Sequence, residues 1–426
     1  MGTIFGLFNR NEAIMMRINL AAVVTSALLL GCGPAPEQAA DNSVDASQSK
    51  AQRIAHDSIV IDTHIDVPYR LQSTPDNVAE ATEGGDFDYP RAIAGGLNAP
   101  FMSIYTPAEL EAEGKSFALA EELIDLVEGI VASAPDKFAI AHSTADIEKH
   151  FEAGLISLPL GMENGSPIEG DLANLQHFYD RGIRYITLAH GLSNHIADSS
   201  YDPNRQWNGL SEFGMEVIKE MNRLGIMVDI SHVSDEAFWQ AVDTSAVPVI
   251  ASHSSARHFT PDFERNMSDE MIQRLGETGG VIMINYGSSF LTAAANEYSM
   301  RRWPAQAEFV TANSDLSEEE ASEAFDAIWE AEHGSLPFAS IDDVLDHIDH
   351  VVALTSVENV GIGSDYDGVG DSLPTDLKDV ASYPNLVDGL LQRGYSEADI
   401  RKILGENILR VWRAVEDYAA TTSIST

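Results

Sequence analysis

The sequence predicts an α/β fold, a (β/α)8 TIM barrel with a helical insertion between the seventh and eighth strands. From about residue 51 the chain of 426 residues alternates short apolar segments with amphipathic helical patterns. Most of the apolar segments are continuous runs, as expected for strands of a parallel sheet that is covered on both faces. An open doubly wound sheet is the alternative, but no glycine fingerprint follows the first segment.

The N-terminal segment, residues 1–32, predicts a lipoprotein signal peptide. A basic residue precedes the apolar run "INLAAVVTSALLLGC" (18–32), which is too short to span a membrane comfortably. The run ends in "LLGC", which resembles the bacterial lipobox, so Cys32 is the predicted lipidation site. An ordinary signal peptide with a chance cysteine is the alternative. Cys32 is the only cysteine in the sequence, which excludes an intramolecular disulfide.

Residues 33–50 are small, polar and contain proline, and they predict a flexible tether between the lipid and the domain that follows. The folded domain is predicted over residues 51–420. A lipid on Cys32 would place this domain in the cell envelope of a Gram-negative-type bacterium, facing the periplasm or the outside. The membrane is therefore an expected partner through the N-terminal anchor.

Eight segments have the composition of buried strands, and helical patterns separate most of them. The segments are 58–65, 100–106, 156–163, 185–190, 227–232, 248–253, 281–286 and 360–365. Between the fourth and fifth segments, residues 212–225 place apolar side chains along one stripe of a helix, and Gly225 suits its end. Ser234 is a plausible N-cap of the next helix.

The stretch 291–340 is long and charged, with a helical pattern around "SEEEASEAFDAIWEAEH" (317–333). It follows the seventh strand and precedes the eighth, so it is interpreted as an insertion. We expect it to form either a lid over a site or part of a subunit contact. A homodimer is left open.

The formal net charge is −42, from 67 acidic and 25 basic residues. Such a surface repels polyanions, so nucleic acid is not an expected partner. The acidic residues are scattered rather than clustered, which is typical of a solvated surface. Net charge does not identify which of them bind a ligand.

Polar side chains that bind metals stand at the ends of the predicted strands. In a parallel barrel the carboxyl ends of the strands surround one mouth, so residues far apart in sequence can meet there. One such histidine alone would more often be structural, but a matched set is hard to explain in that way. The set is His64, Asp66, Glu163, His190, His232, His253 and Asp365.

Histidine nitrogens and carboxylate oxygens suit zinc or a similar divalent ion. An HxD pair, two further histidines and a carboxylate that can bridge are enough for two metal ions about 3.5–4 Å apart. Asp365 would remain a free carboxylate able to move a proton. His347 and His350 mimic ligand spacing on a predicted helix but are interpreted as surface or packing residues, and the roles of His195 and His258 stay open.

These segments together resemble the membrane (renal) dipeptidase family of the amidohydrolase superfamily. The resemblance extends from about residue 54 to 416 and includes the order and spacing of the motifs. They are "IDTHIDVP" (61–68), "GGLNAPFMSIY" (95–105), "GMENG" (161–165), "RGIRYITLAH" (181–190), "DISHVS" (229–234), "PVIASHSSAR" (248–257), "RNMSD" (265–269) and "GIGSDYDG" (361–368).

The resemblance implies a zinc-dependent dipeptidase in which a metal-bridging hydroxide attacks the peptide bond of free dipeptides, including those with a D-residue at the C-terminus. His64 and Asp66 would hold one Zn²⁺, His232 and His253 a second, and Glu163 would bridge the two.

For the substrate, the resemblance implies that His190 contacts the carbonyl oxygen and stabilises the oxyanion, and that Arg265 pairs with the C-terminal carboxylate. Asp365 would be the general acid/base. Two other hypotheses stay open. One is an amidohydrolase-type hydrolase of another amide or a lactam, and the other is a non-catalytic lipoprotein that binds peptides.

Overall fold

The computed structural model describes the backbone of residues 49–314 and 316–423, with side chains except those of Glu318, Glu319 and Ser423. The predicted signal peptide, Cys32 and the tether up to residue 48 lie outside the described residues. The tether was predicted to reach residue 50, but the Ser49 side chain accepts a hydrogen bond from Gln52 N and caps a helix that begins at Lys50. Ordered structure therefore starts slightly earlier than expected.

Eight parallel strands close into a barrel within the described part of the chain, which confirms the predicted fold. All ten strands described are β1 (Val60–Ile65), β2 (Leu97–Tyr105), β3 (Phe138–Ile140), β4 (Ile156–Leu158), β5 (Leu160–Glu163), β6 (Ile183–Thr187), β7 (Met227–Asp229), β8 (Ile250–Ala251), β9 (Val281–Ile284) and β10 (Val360–Ile362). The order around the barrel is β1-β10-β9-β8-β7-β6-β5-β2. The first and last strands meet at the register Asp62↔Ile362.

Helices surround the barrel. They are α1 (Lys50–His56), α2 (Val67–Ser73), α3 (Tyr89–Gly95), α4 (Glu109–Glu113), α5 (Ser116–Ser133), α6 (Thr144–Ala153), α7 (Ala173–Asp180), α8 (Glu212–Leu224), α9 (Asp235–Thr244), α10 (Asp269–Glu277), α11 (Ser288–Leu291), α12 (Ala293–Ala312), α13 (Glu318–His333), α14 (Ile341–Leu354), α15 (Tyr383–Gln392), α16 (Glu397–Arg401) and α17 (Asn407–Ser423). Short 3-10 helices lie at Ser166–Ile168, Arg257–Phe259, Val357–Asn359 and Val380–Ser382, and a π-helix lies at Lys402–Glu406.

One predicted strand is wrong in its extent. The segment 156–163 is two strands, because Pro159 between them has no N–H to donate to a ladder. Strand β4 pairs with β3 in a separate two-stranded sheet, and only β5 belongs to the barrel. Several other barrel strands end two or three residues before the predicted ends, so the polar residues predicted at strand ends lie in the loops just beyond them.

The barrel interior is packed with side chains rather than hollow. It is filled by Phe101, Tyr185 and Met283, and the ring of Trp412 in α17 packs against Phe101. Gly161 makes room for this packing, since a Cβ at that position would lie 2.0 Å from the Tyr185 ring. The filled interior leaves the carboxyl ends of the strands, here called the barrel mouth, as the place for a site.

The predicted insertion is helical and consists of α12 and α13, between β9 and β10. Arg302 of α12 forms an ion pair with Asp326 of α13, and Gln306 Nε2 donates to Ser322 Oγ at 2.8 Å. None of the described helices has the length and apolar character needed to cross a membrane.

Candidate metal centre

The structure brings the five predicted metal ligands together at the barrel mouth, around Glu163. Glu163 Oε1 lies 3.1 Å from His232 Nε2 and 3.3 Å from His253 Nε2. The other oxygen, Oε2, lies 3.4 Å from His64 Nε2. The two oxygens of one carboxylate therefore face different histidines, Oε1 facing His232 and His253 and Oε2 facing His64.

The remaining predicted residues complete the ring. His64 Nε2 lies 3.5 Å from Asp66 Oδ2 and 4.0 Å from Asp365 Oδ1. His190 Nε2 lies 3.4 Å from Glu163 Oε1 and is partly exposed. The structure thus places both predicted catalytic residues beside the predicted ligands, Asp365 on the His64 side and His190 on the Glu163 side.

The backbone is strained where the loops leave the strands. Asn164, His232 and Asp365 have φ values of 80°, 69° and 66°, in the left-handed region that non-glycine residues rarely adopt. Gly368 is also required, because a Cβ there would lie 2.1 Å from Asp66 Oδ2. These turns bend the side chains of His232 and Asp365 back toward the centre of the mouth.

Buried hydrogen bonds orient the imidazole rings from the side away from the mouth. Tyr185 Oη lies 2.8 Å from His64 Nδ1, and Ser252 Oγ lies 2.8 Å from His253 Nδ1. Ser252 in turn donates to Asp229 Oδ2 at 2.6 Å. Such contacts fix which ring nitrogen points at a metal ion.

Sequence reasoning missed these positioning residues. Asp62 accepts hydrogen bonds from the backbone N–H groups of His64 at 3.1 Å and Ser364 at 2.9 Å. It accepts a further one from the side-chain hydroxyl of Tyr383 at 2.5 Å. A signal did exist, because Asp62 and Asp229 are carboxylates inside apolar strands, where a buried charge must have partners.

The electrostatics of the site favour a charged glutamate beside neutral His232 and His253. Against the effect of burial, Tyr185, Glu163 and Asp66 raise the pKa of His64 well above the ordinary histidine value. Burial alone would raise the pKa of Glu163, but His64 and His190 and the hydrogen bonds to His232 and His253 hold it well below its usual value. Burial lowers the pKa of His232 and His253 well below the ordinary histidine value. Neutral imidazole and ionised carboxylate are the forms that bind metal ions.

The donor set fits divalent cations. His64 Nε2 and Asp66 Oδ1 are buried and have no hydrogen-bond partner among the described residues. His232 Nε2 and His253 Nε2 lie only 2.8 Å apart and point at the same volume. Buried donor atoms that face one another without partners are explained by ions that they share.

A cavity of about 1010 Å³ opens above the ligands. Its wall combines Tyr105 at the end of β2 and Tyr201 of a barrel loop with Tyr298 and Trp303 from the insertion. The insertion therefore forms part of the wall over the site, which agrees with the first of its two predicted roles, that of a lid. A smaller cavity of about 440 Å³, beside Arg184 and Glu416, contains none of the predicted site residues.

Arg265 lies behind the ligands rather than in the wall of this cavity. It is 3% exposed, and its guanidinium donates to Ser254 Oγ and to the His253 carbonyl, both at 2.7 Å. The ring of Phe290 packs against the guanidinium at 5.3 Å. Its Nε is buried without a partner among the described residues, so one donor of the group remains free.

Four histidines that were not predicted to belong to the site lie outside the mouth, namely His195, His258, His347 and His350. His347 is a packing residue, as interpreted, because Ala256 N donates to its Nδ1 at 2.9 Å and its Nε2 lies 3.0 Å from the Leu291 carbonyl oxygen. His195 Nδ1 lies 2.9 Å from Glu111 Oε1. His350 is not isolated, since it lies beside His258.

A closed parallel barrel whose mouth gathers histidines and carboxylates around one glutamate defines a metal-dependent hydrolase of the amidohydrolase type. The match to a family model assigns the chain to a narrower group within this class. Residues 48–426 match the membrane dipeptidase family, Peptidase family M19, and the chain belongs to that family of metallopeptidases.

Individual relatives agree with this assignment. The chain is 30% identical to an uncharacterized dipeptidase of Schizosaccharomyces pombe over 96% of this chain and 91% of that protein. It is 32% identical to the dipeptidase tcpJ of Claviceps purpurea over 79% of this chain and 71% of that protein.

Solved structures share the fold. The probable dipeptidase PvdM from Pseudomonas aeruginosa has a TM-score of 0.76 and 26% identity, covering 87% of this chain and 98% of that one. A metallopeptidase from Rhodobacter sphaeroides has a TM-score of 0.68 and 24% identity, covering 84% of this chain and 99% of that one. The latter was solved with a phosphinate mimic of the dipeptide L-Ala-D-Ala.

Proposed function

We propose that the protein is a dinuclear zinc dipeptidase that hydrolyses the peptide bond of free dipeptides. His64 and Asp66 would hold one ion, His232 and His253 the other, and Glu163 would lie between them. The observation that carries this proposal is the arrangement of Glu163, whose Oε1 lies 3.1 and 3.3 Å from His232 and His253 nitrogens and whose Oε2 lies 3.4 Å from a His64 nitrogen. Membership of the peptidase family favours catalysis over a peptide-binding role without chemistry.

The two ions, when bound, would supply Lewis acidity toward the scissile carbonyl and toward water near neutral pH. His190 stands where the cavity meets Glu163, and burial lowers its pKa, which keeps the ring neutral. A neutral imidazole can donate its N–H to the carbonyl oxygen as negative charge develops there.

Asp365 is placed to accept a proton from the attacking water and to pass it on to the leaving amine. Asn285 Nδ2 donates to its Oδ2 at 2.7 Å, which leaves Oδ1 facing the mouth, 4.0 Å from His64 Nε2. Burial raises the pKa of Asp365 to about 7, the range in which a carboxyl group both accepts and releases a proton. We assign Asp365 to the delivery of this proton to the leaving amine.

Although Arg265 lies behind the cavity wall, we assign its positive charge to the attraction of the C-terminal carboxylate of the substrate. Its buried guanidinium lies next to the His253 carbonyl, and its Nε has no partner among the described residues. An Arg265→Ala variant is expected to raise KM mainly for dipeptides, because they carry a free carboxylate. A hydrolase of uncharged amides or lactams would lose little affinity in the same variant, so this measurement separates the two substrate classes.

The main test is metal removal from the purified enzyme with dipeptides as substrates. Chelation should abolish hydrolysis, and Zn²⁺ should restore it once two ions per chain are bound at the barrel mouth. Full turnover by thoroughly metal-free protein contradicts the proposal. A parallel panel of L,L and L,D dipeptides tests whether a D-residue at the C-terminus is accepted, as the family resemblance implies.

We extend the proposal to location: Cys32 carries a lipid that anchors the enzyme in the cell envelope. The support is the sequence pattern before Cys32, which lies outside the described residues. A Cys32→Ser variant should move the enzyme from the membrane fraction to the soluble fraction and lose lipid labelling. An unchanged membrane fraction in that variant removes the anchor from the proposal. The homodimer stays a prediction.

A further inference from the structure

A second group of metal-binding side chains lies on the outside of the barrel, apart from the mouth. His258 belongs to the 3-10 helix Arg257–Phe259, Asp269 is the first residue of α10, and His350 lies in α14. Each offers one ligand atom, and these three atoms lie within 4.8 Å of one another. Three separate elements of the chain therefore contribute one ligand each.

The contacts within the group are close. His350 Nε2 lies 2.8 Å from Asp269 Oδ1. The rings of His258 and His350 stack with centroids 4.4 Å apart and an interplanar angle of 24°. Phe259 packs its ring edge-on against His350 at 5.6 Å, which holds the imidazole in place.

We propose that His258, Asp269 and His350 form a peripheral binding site for Zn²⁺ or a similar transition-metal ion. Two imidazole nitrogens and one carboxylate oxygen are a common zinc donor set. Zinc bonds of about 2.0–2.2 Å place tetrahedral ligand atoms about 3.4 Å apart, so only a small rearrangement is needed. His258 is exposed and can rotate to supply it.

The surroundings favour a cation. The sequence carries a net charge of −42, which raises the local concentration of divalent ions near the surface. The Asp269 and His350 side chains are 41% and 17% exposed, so an ion can enter without local unfolding, and solvent would complete its coordination.

An ion at this site would join both ends of the loop that carries Arg265. This loop is already closed by Arg257 N donating to the Met267 carbonyl at 2.8 Å. His258 lies near its start and Asp269 just after its end, while His350 belongs to the helix packed beside it. The ion would therefore fasten the loop to α14 from the outside.

The test is a metal count on the purified holoenzyme. Wild type and variants are dialysed against the same micromolar free Zn²⁺, and bound zinc per chain is measured. Wild type should hold one more ion than His258→Asn and His350→Phe. The phenylalanine keeps an aromatic ring that stacks on His258 and meets Phe259 edge-on, while removing the nitrogens. Because the result is a difference between variants, it does not depend on how many ions the mouth holds.

His177→Asn is the matched control. Its Nε2 also lies 3.0 Å from a carboxylate, that of Glu121, but it belongs to no group of three metal-binding side chains among the residues that the structure describes. This variant should bind as much zinc as wild type. Zn²⁺ should raise the Tm of wild type and His177→Asn by more than that of His258→Asn and His350→Phe. Equal zinc and equal Tm shifts in wild type, His258→Asn and His350→Phe would overturn the proposal.

Discussion

At the residue scale, the proposed metal site depends on side chains that are not among its predicted ligands. Tyr185, Asp229 and Asp62 hold the ligands through buried hydrogen bonds to imidazole, hydroxyl and backbone groups. The convergence of the predicted ligands at the mouth could be expected from the sequence, because each lies at or just beyond the end of an apolar run. The role of Tyr185 could not, because its contact with His64 depends on the barrel closing and on the room left by Gly161.

Removing the hydroxyl of Tyr185 should weaken metal binding without unfolding the barrel. In Tyr185→Phe, His64 loses the partner that fixes its Nδ1, so we expect metal affinity to fall by about 10–100-fold. Competition with a chelator of known affinity measures this change. Tyr286→Phe is the control, because its buried hydroxyl has no hydrogen-bond partner among the described residues. Equal affinities in the two variants would remove the positioning role.

The raised pKa of Asp365 makes the metal-free protein sensitive to pH. Burial favours the protonated carboxyl in the folded chain, so its contribution to stability is fully present below the ordinary pKa of 3.8 and is lost as pH rises through about 7. The free energy of unfolding of wild type, minus that of Asp365→Asn, should therefore decrease between pH 5 and 8. Denaturant unfolding of both chains without metal measures it, and a flat difference contradicts the assignment.

At the element scale, the sequence predicted the barrel strands better than their limits. Apolar runs located all eight, because both faces of each strand are buried. Pro159 signalled the break in 156–163, but only the pairing of β4 with β3 shows that the first half leaves the barrel. Strand β3 itself is three residues long, too short for any periodicity to reveal.

The insertion helices α12 and α13 form part of the cavity wall, so loosening them should affect substrate binding more than chemistry. Arg302→Gln removes the ion pair with Asp326, and a partly exposed pair contributes about 0.2–1 kcal/mol. We expect KM for dipeptides to rise about two- to fivefold, with kcat and metal content unchanged. Steady-state kinetics beside Arg274→Gln, which breaks a surface pair with Asp243, provides the comparison. The same KM in both variants would mean that the wall does not contact substrate.

At the scale of the whole molecule, the large negative net charge of the sequence is expected to lower the stability of the folded state. With a net charge of −42, like-charge repulsion opposes the compact state, and salt screens it over about 10 Å at 0.1 M and 3 Å at 1 M. Raising NaCl from about 0.05 to 0.5 M should increase Tm by a few degrees at fixed metal content. Calorimetry of the holoenzyme checks this, and a Tm that stays level or falls would show that repulsion is not limiting.

The closure of β1 against β10 has a consequence for biosynthesis. His64 leaves the ribosome early, whereas Asp365 follows the last strand, almost a whole domain later. A nascent chain that stops before Val360 holds every proposed ligand yet has no closed ring to gather them. We therefore expect loading of the proposed cations to follow translation, at the place where the finished polypeptide first folds.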